Sequence, residues 1–265
     1  MSETLLDRAY RAMAEAEDGD DAPRLRFYER LADAELFLLL TGEPSGQTIA
    51  PQIFDLEEGR FALGFDTEDR LSAFAAGAAP YAALPGRVVA RELASAGIGL
   101  GFNLGVDASA YLMPAEVLTW LSETLDHRPE TGEARVAEFR RPTQLPEALI
   151  VALDAKLAGL AGLARRAHLA AMLGVDGGVG HLLAFEDARP GAEEPLAKAI
   201  SEALTFSGVE AGVLDVAFFA SSGPELALMT PVALSFDLPV PEPVRVETLT
   251  PPAPGMDPDH PPKLR

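Results

Sequence analysis

Two glycine-rich stretches have the composition of loops that cradle a nucleotide phosphate: GIGLGFNLG at 97–105 and GVDGGVGH at 174–181. A dinucleotide fingerprint needs G-x-G-x-x-G between a strand and a helix. Counting from Gly97 places Phe102 where the third glycine belongs, and counting from Gly99 fails as well. In the second stretch no lysine follows the last glycine, as a phosphate-binding loop requires. The spacing therefore argues against both nucleotide sites, and the second stretch is interpreted as a hairpin turn.

The glycines of the first stretch alternate with apolar residues, and this period of two is typical of a β-strand. One face of such a strand carries large apolar side chains, and the other carries Gly97, Gly99, Gly101, Asn103 and Gly105. A face with so few side chains admits close packing of a helix or another strand, or it forms the floor of a groove that receives a partner. Both interpretations stay open from the sequence.

Other residue types that carry chemistry do not assemble into a motif. The sequence contains no cysteine, which excludes thiolate catalysis and cysteine-bound metals. Its four histidines lack the H-x-x-x-H and H-E-x-x-H spacings of helical metal sites, and G-x-S-x-G is absent. His168 is expected to face Glu186 across the predicted hairpin as a structural pair. We therefore expect no catalytic residues, no cofactor and no metal site.

Two features suggest surfaces that contact another protein. Trp120, the only tryptophan, lies on a helix predicted over 114–125 beside an apolar stripe. Its indole is expected either to pack in the core or to anchor a partner. The C-terminal segment is rich in proline and is expected either to dock on an aromatic groove or to remain a disordered tail. Its candidate contact residues are Pro251, Pro252 and Pro254.

Charge narrows the classes of partner. The 265 residues carry a formal net charge of −20, and so many carboxylates repel nucleic-acid phosphates and anionic membrane surfaces. We expect no nucleic-acid and no membrane partner. The first residues lack the pattern of a signal peptide, and no apolar run approaches the length of a membrane span. These features predict a cytoplasmic protein whose partner is another protein; the oligomeric state stays open.

The order of predicted elements indicates an α+β protein with two domains, each a mixed or antiparallel sheet with helices packed on it. We predict an N-terminal domain over 1–126, a linker over 127–133 that is rich in Pro, Gly and charge, and a C-terminal domain over 134–240. A proline-rich tail follows over 241–265.

The first predicted domain resembles the N-terminal domain of the SseB family. The resemblance rests on RLRFYERLADAELFLLL, IFDLEEGRFALGFDTEDRL, GIGLGFNLG and MPAEVLTWL, which occur in that order. The second half, with PEALIVALDAKLAGLAGLARRAHLAAML and HLLAFEDARPG, is similar to the C-terminal domain that accompanies it. The resemblance implies a two-domain fold over most of 1–240 and supplies no catalytic residues.

These observations lead to a hypothesis about function. We expect a non-catalytic protein-binding or adaptor protein. Its contact surface is expected among Gly97, Gly99, Gly101 and Asn103 of the glycine-rich strand, the helix with Trp120, and the tail. The alternative is a small-molecule sensor or an unrecognised enzyme with a pocket between the two domains, where ligand pockets often form.

Overall fold

The computed structural model describes residues 3–44, 49–129, 132, 136–143, 145–175, 177–208 and 214–240. Within these ranges the chain forms eight helices and eleven strands, which build two mixed sheets one after the other along the sequence. The α+β class with two sheet-and-helix units is thereby confirmed. The proline-rich tail at 241–265 lies outside the described residues.

The first unit contains five helices and six strands. Its sheet has the order β4-β1-β3-β5-β6, with β2 beside β3, and only the β3–β5 pair is parallel. The elements are α1 (Leu5–Ala14), α2 (Ala22–Asp33), β1 (Glu35–Leu39), β2 (Ile53–Leu56), β3 (Gly59–Phe65), α3 (Glu68–Phe74), β4 (Tyr81–Pro85), α4 (Gly86–Ser95), β5 (Gly99–Phe102), β6 (Tyr111–Met113) and α5 (Ala115–Asp126).

The second unit contains three helices and five strands. Its sheet has the order β10-β9-β8-β11, with β7 beside β8, and its only parallel pair among the described residues is β9–β10. The elements are β7 (Val136–Arg140), α6 (Glu147–Ala158), β8 (Arg166–Gly174), β9 (Val179–Glu186), α7 (Glu193–Phe206), β10 (Leu214–Phe219), α8 (Pro224–Met229) and β11 (Leu234–Asp237).

The main core of the first unit lies between its sheet and helices α1, α2, α4 and α5. Helical spacing explains which residues enter it: Phe27 and Leu31 are one turn apart on α2, and Leu118 and Leu121 share a face of α5. All four are buried completely or nearly so. The sequence-based stripe on α5 is therefore confirmed as a core face. Trp120 lies beside this face rather than on it.

The two units meet through helices. Phe206, at the end of α7, is fully buried and belongs to the core cluster of the first unit. A Cβ on Gly208 would lie 3.0 Å from the Cβ of Ala22, so the chain after α7 passes directly against the start of α2. The second unit is thus anchored on α2 by an aromatic side chain that enters the neighbouring core.

Candidate binding site at the Trp120 groove

A shallow groove of about 290 Å³ lies between α2 and α5 and opens to solvent. Both helices expose one face there, because their other faces are covered: α5 packs on β5 and α4, and α2 packs on α1, α4 and α7. Two aromatic rings, two aliphatic side chains and one charge of each sign line it, and we call it the Trp120 groove. Its residues are Arg24, Leu25, Tyr28, Glu116, Val117 and Trp120.

Trp120 forms a fixed aromatic wall of this groove. Its ring meets Tyr28 edge to face at a centroid distance of 5.6 Å and Phe206 at 6.2 Å. The indole nevertheless remains 39% exposed. A large aromatic side chain that is held by two others and still open to solvent has little conformational entropy left to lose when a ligand covers it. Such side chains are typical anchors of protein interfaces.

Polar groups at the groove are arranged for contact with a neutral or mixed-charge ligand. Burial, together with the nearby Tyr111 hydroxyl 3.4 Å away, raises the pKa of Tyr28, so its hydroxyl stays protonated at neutral pH. Arg24 forms an ion pair with Asp21 at 2.8 Å, and both side chains are more than half exposed. Exposed pairs of this kind contribute at most about 1 kcal/mol. Arg24 can therefore exchange Asp21 for a carboxylate of a ligand.

The glycine-rich strand lies inside the fold. β5 is buried along its whole length between β3 and β6. A Cβ on Gly99 would lie 2.5 Å from the ring of Phe61, and one on Gly101 would lie 2.7 Å from Leu63. The side that lacks side chains is thus filled by residues of β3, by Leu104 and by the backbone of β6, which is the close-packing alternative. Gly97, in a left-handed turn at φ 64°, precedes the strand.

Asn103 follows the strand and belongs to a buried polar cluster centred on Arg70. Its side-chain oxygen accepts a hydrogen bond from the backbone N–H of Asp66, and its amide nitrogen donates to Ser109. The residue is fully buried, so it holds the loop after β5 rather than a ligand. The cluster also contains Thr4, Asp7 and Asp107.

Arg70 organises this cluster. Its guanidinium donates to Asp7, Asp66 and Asp107 at distances of 2.6–3.0 Å, and the residue is 1% exposed. The local sequence places it there, because Thr67 caps α3 by accepting a bond from the backbone N–H of Arg70. The cluster thereby connects the start of α1, the start of α3 and the loop between β5 and β6.

The acidity of Asp7 yields a prediction about stability. Burial alone would raise its pKa, but hydrogen bonds from Arg70, Thr4 and Ser109 outweigh burial and lower it from 3.8 to about 2. The stabilisation is therefore complete above pH 4 and is lost as pH falls toward 2. We expect Asp7→Asn to lower the free energy of unfolding by about 2 kcal/mol near pH 6.

This difference between the wild-type chain and Asp7→Asn should shrink steadily between pH 5 and pH 2, as measured by urea unfolding. Asp18→Asn, at an exposed position of the loop after α1, is the control and should differ little from wild type at any pH. A difference between wild type and Asp7→Asn that stays constant down to pH 2 would contradict the assignment.

A second group of charges lies where the two units meet. Lys156 on α6 reaches Glu29 and Asp33 of α2 and Glu202 of α7 at 2.8–3.3 Å, and Arg87 of α4 pairs with Asp33 and Glu202. Burial alone would lower the pKa of Lys156, but the surrounding carboxylates raise it. Burial raises the pKa of Glu29, which Lys156 only partly offsets. These residues lie in or below an open cleft of about 610 Å³.

His168 contacts Glu186, but in a different register from the one the sequence indicated. The turn between β8 and β9 places His168 opposite Ala184 and Arg166 opposite Glu186, so the expected direct pairing is wrong. His168 Nε2 still lies 3.1 Å from a carboxylate oxygen of Glu186, diagonally across the ladder, and Nδ1 lies 2.8 Å from Ser235 Oγ. None of the three residues lines the groove or the cleft, and we assign the group to sheet stability.

Two further findings concern the described part of the chain. No group of three or more histidine, aspartate or glutamate side chains there is arranged to hold a metal ion. Among the same residues, no helix has the length and apolarity needed to cross a membrane. Pro251, Pro252 and Pro254, named as contact residues from the sequence, lie outside the described residues.

Of the predicted contact residues that the structure describes, only Trp120 lies in the groove. Its neighbours on α2 are not predictable from Trp120 alone, because α2 is distant from α5 in the chain; they are Arg24, Leu25 and Tyr28. The signal available was RLRFYERL itself, which carries two aromatic residues side by side on a helix. Adjacent residues lie about 100° apart around the helix axis, so the two rings point in different directions. Both are buried, and Tyr28 is the one that also lines the groove.

Comparison with known proteins gives one match. The model of the SseB protein N-terminal domain matches residues 6–119, from α1 into α5 and across the whole first sheet. Neither the curated proteins nor the solved structures contain a significant match. The match ends before the second unit, whose assignment as the C-terminal domain of the family stays a prediction.

Proposed function

We propose that this chain, whose residues 6–119 match the SseB protein N-terminal domain, is an SseB family protein that acts by binding another protein. The Trp120 groove is the binding face, and the ligand is an extended, proline-bearing segment of the partner. The observation that carries this proposal is the state of Trp120, which is packed against Tyr28 and Phe206 and still 39% exposed.

The size and lining of the groove favour a polypeptide segment. Pockets that enclose small molecules typically measure about 300–1,000 Å³ and surround most of the ligand. The Trp120 groove measures about 290 Å³ and is open to solvent, so it suits one or two side chains of a longer segment. Proline-rich segments are already extended and lose little entropy when they dock on aromatic walls. Beside the prolines, Arg24 can pair with a negative charge of the segment and Glu116 with a positive one.

Site-directed photo-cross-linking tests this proposal. A benzophenone amino acid replaces Val117 in the groove of the full chain, and the chain is irradiated in its native extract. The matched control carries the same group at Leu228, which is 71% exposed on α8. We expect peptides with prolines from one or a few proteins to be linked at position 117 and not at position 228. The same background of peptides at both positions would contradict the proposal.

A second candidate, a small-molecule sensor or an enzyme, is favoured by the cleft between the units. Several charged groups converge there, and burial and neighbouring charges shift the pKa values of Glu29, Arg87 and Lys156. We place it second because Arg87 and Lys156 already pair with carboxylates on the facing helices. Native mass spectrometry of the chain from its own cytosol would reveal a small molecule retained in the cleft.

A further inference from the structure

The chain carries a segment of the kind that the groove is proposed to bind. Residues 257–263, DPDHPPK, contain three prolines, two aspartates and a lysine. We propose that this segment of the same chain occupies the Trp120 groove and competes there with the partner. The inference rests on the proposed function, and it adds a means of regulating the same site.

The length of the tail permits this contact. Val240 is the last described residue, and sixteen residues separate it from Asp257. In a polyproline II conformation, sixteen residues span about 50 Å. A compact chain of this length has a radius of gyration of about 18 Å. A length of about 50 Å covers about two thirds of the path over the surface from Val240 to the opposite side of a compact chain of this size, so most of the surface lies within reach of the segment. Pro251 and Pro252, closer to Val240, have a shorter reach.

The charges of the segment match those of the groove. Arg24 lies on one side, and among the described residues its only ion-pair partner is the exposed Asp21. Asp257 and Asp259 of the segment provide carboxylates for it. Glu116 lies on the other helix, and no ion pair is formed by it within the described ranges. Lys263 supplies a cation for Glu116 at the opposite end of the segment from Asp257.

Tethering makes such a contact effective even when the contact itself is weak. A segment attached by a short flexible linker is present at an effective concentration of about 1 mM. The groove would then be occupied in the isolated chain, and a partner would bind only when it displaces the tail. The tail thereby raises the concentration of partner that is needed for binding, and it does so at the groove itself rather than at a separate regulatory site.

Acrylamide quenching of tryptophan emission tests the contact directly, because Trp120 is the only tryptophan. Two full-length variants are compared with wild type: Pro261→Ala/Pro262→Ala, and the matched control Pro251→Ala/Pro252→Ala in the same tail. We expect the quenching constant of the 261/262 variant to rise about twofold, since its tail leaves the groove open at millimolar effective concentration. The 251/252 variant should resemble wild type.

A peptide with the sequence of residues 254–265 completes the test. Added to the 261/262 variant at about 1 mM, it should lower quenching to the wild-type value. The inference is overturned if both variants quench like wild type, or if the peptide leaves the quenching of the 261/262 variant unchanged.

Failure of this inference is distinguishable from failure of the proposed function. With the benzophenone at position 117, the 261/262 variant should gain several-fold more cross-links to the partner than the wild-type chain. If partner peptides are linked equally in both chains, the tail does not compete for the groove, and the proposed function still holds. If cross-links form only to the chain's own residues 254–265, the groove binds the tail and the proposed binding of a partner is wrong.

Discussion

Replacing Arg70 by methionine should lower the free energy of unfolding by about 3–5 kcal/mol, the largest effect expected of any single change to the buried charges. The guanidinium is 2% exposed and pairs with Asp7, Asp66 and Asp107. Two of these carboxylates are almost as deeply buried as the arginine, with side-chain exposures of 9% and 3%. Methionine fills much of the space but leaves them without a counter-charge, and that desolvated charge is the source of the loss.

Urea unfolding measures this loss at pH 7. The matched control is Arg91→Met, since Arg91 pairs only with its neighbour Glu92 on the exposed surface of α4 among the interactions of the described residues. Surface pairs of this kind contribute little, and the control should stay within about 0.5 kcal/mol of wild type. A loss below about 1 kcal/mol for Arg70→Met would mean that the cluster does not hold α1 and α3 together.

Replacing Lys156 by methionine should lower the free energy of unfolding by about 3 kcal/mol. Lys156 is buried where the two units meet, 8% exposed at its side chain and surrounded by Glu29, Asp33 and Glu202. Arg87 remains beside Asp33 and Glu202 and limits the loss, but Glu29 has no other ion pair among the described residues. The expected loss is therefore at the lower end of the range for Arg70.

Lys198→Met is the control for this second substitution. Lys198 lines the same cleft but forms no ion pair within the described part of the chain. It should change the free energy of unfolding by less than about 0.5 kcal/mol. Equal losses for Lys156→Met and Lys198→Met would contradict the role given to Lys156 in joining the two units.

Local patterns predicted much of the fold. The sequence Glu-Glu-Gly at 57–59 predicts a tight turn, and Leu56 and Gly59 are paired at the end of the hairpin. Asp66 and Thr67 are both candidate caps for the next helix, and Thr67 is the one that caps α3. These elements were accessible because turn and cap preferences act within a few residues of the chain.

Other elements were misjudged where local cues conflicted. The sequence TIAPQIFDL at 48–56 predicts one strand, but β2 begins only at Ile53. Pro51 before it lacks the N–H that a strand needs. The stretch GRVVARELASAG at 86–97 carries both strand and helix cues, and its first ten residues form α4. Val89 and Leu93, one turn apart, are buried in the core, so tertiary packing decides for the helix.

The candidate site was only partly predictable for the same reason. Trp120 was singled out by its type, and the structure adds Tyr28, which is distant in sequence and adjacent in space. The composition of the β5 glycines resembles that of a ligand loop, yet the space beside Gly99 and Gly101 is filled mainly by Phe61 and Leu63 of β3 and by Leu104. The two β3 residues are about 40 positions away in the chain, so no local pattern identifies them. Contacts between distant residues are set by the topology of the sheet rather than by neighbouring residues in the chain.

The most direct test of the Trp120 groove as the binding face is the nuclear magnetic resonance signal of its indole N–H, which is a single peak because the chain has one tryptophan. The peptide of residues 254–265 is titrated into the ¹⁵N-labelled Pro261→Ala/Pro262→Ala chain. We expect the indole peak to shift together with backbone amides of residues 24–28 and 116–120. A fixed indole peak with shifts confined to the cleft around Lys156 and Glu202 would place the binding face elsewhere and contradict the role given to the Trp120 groove.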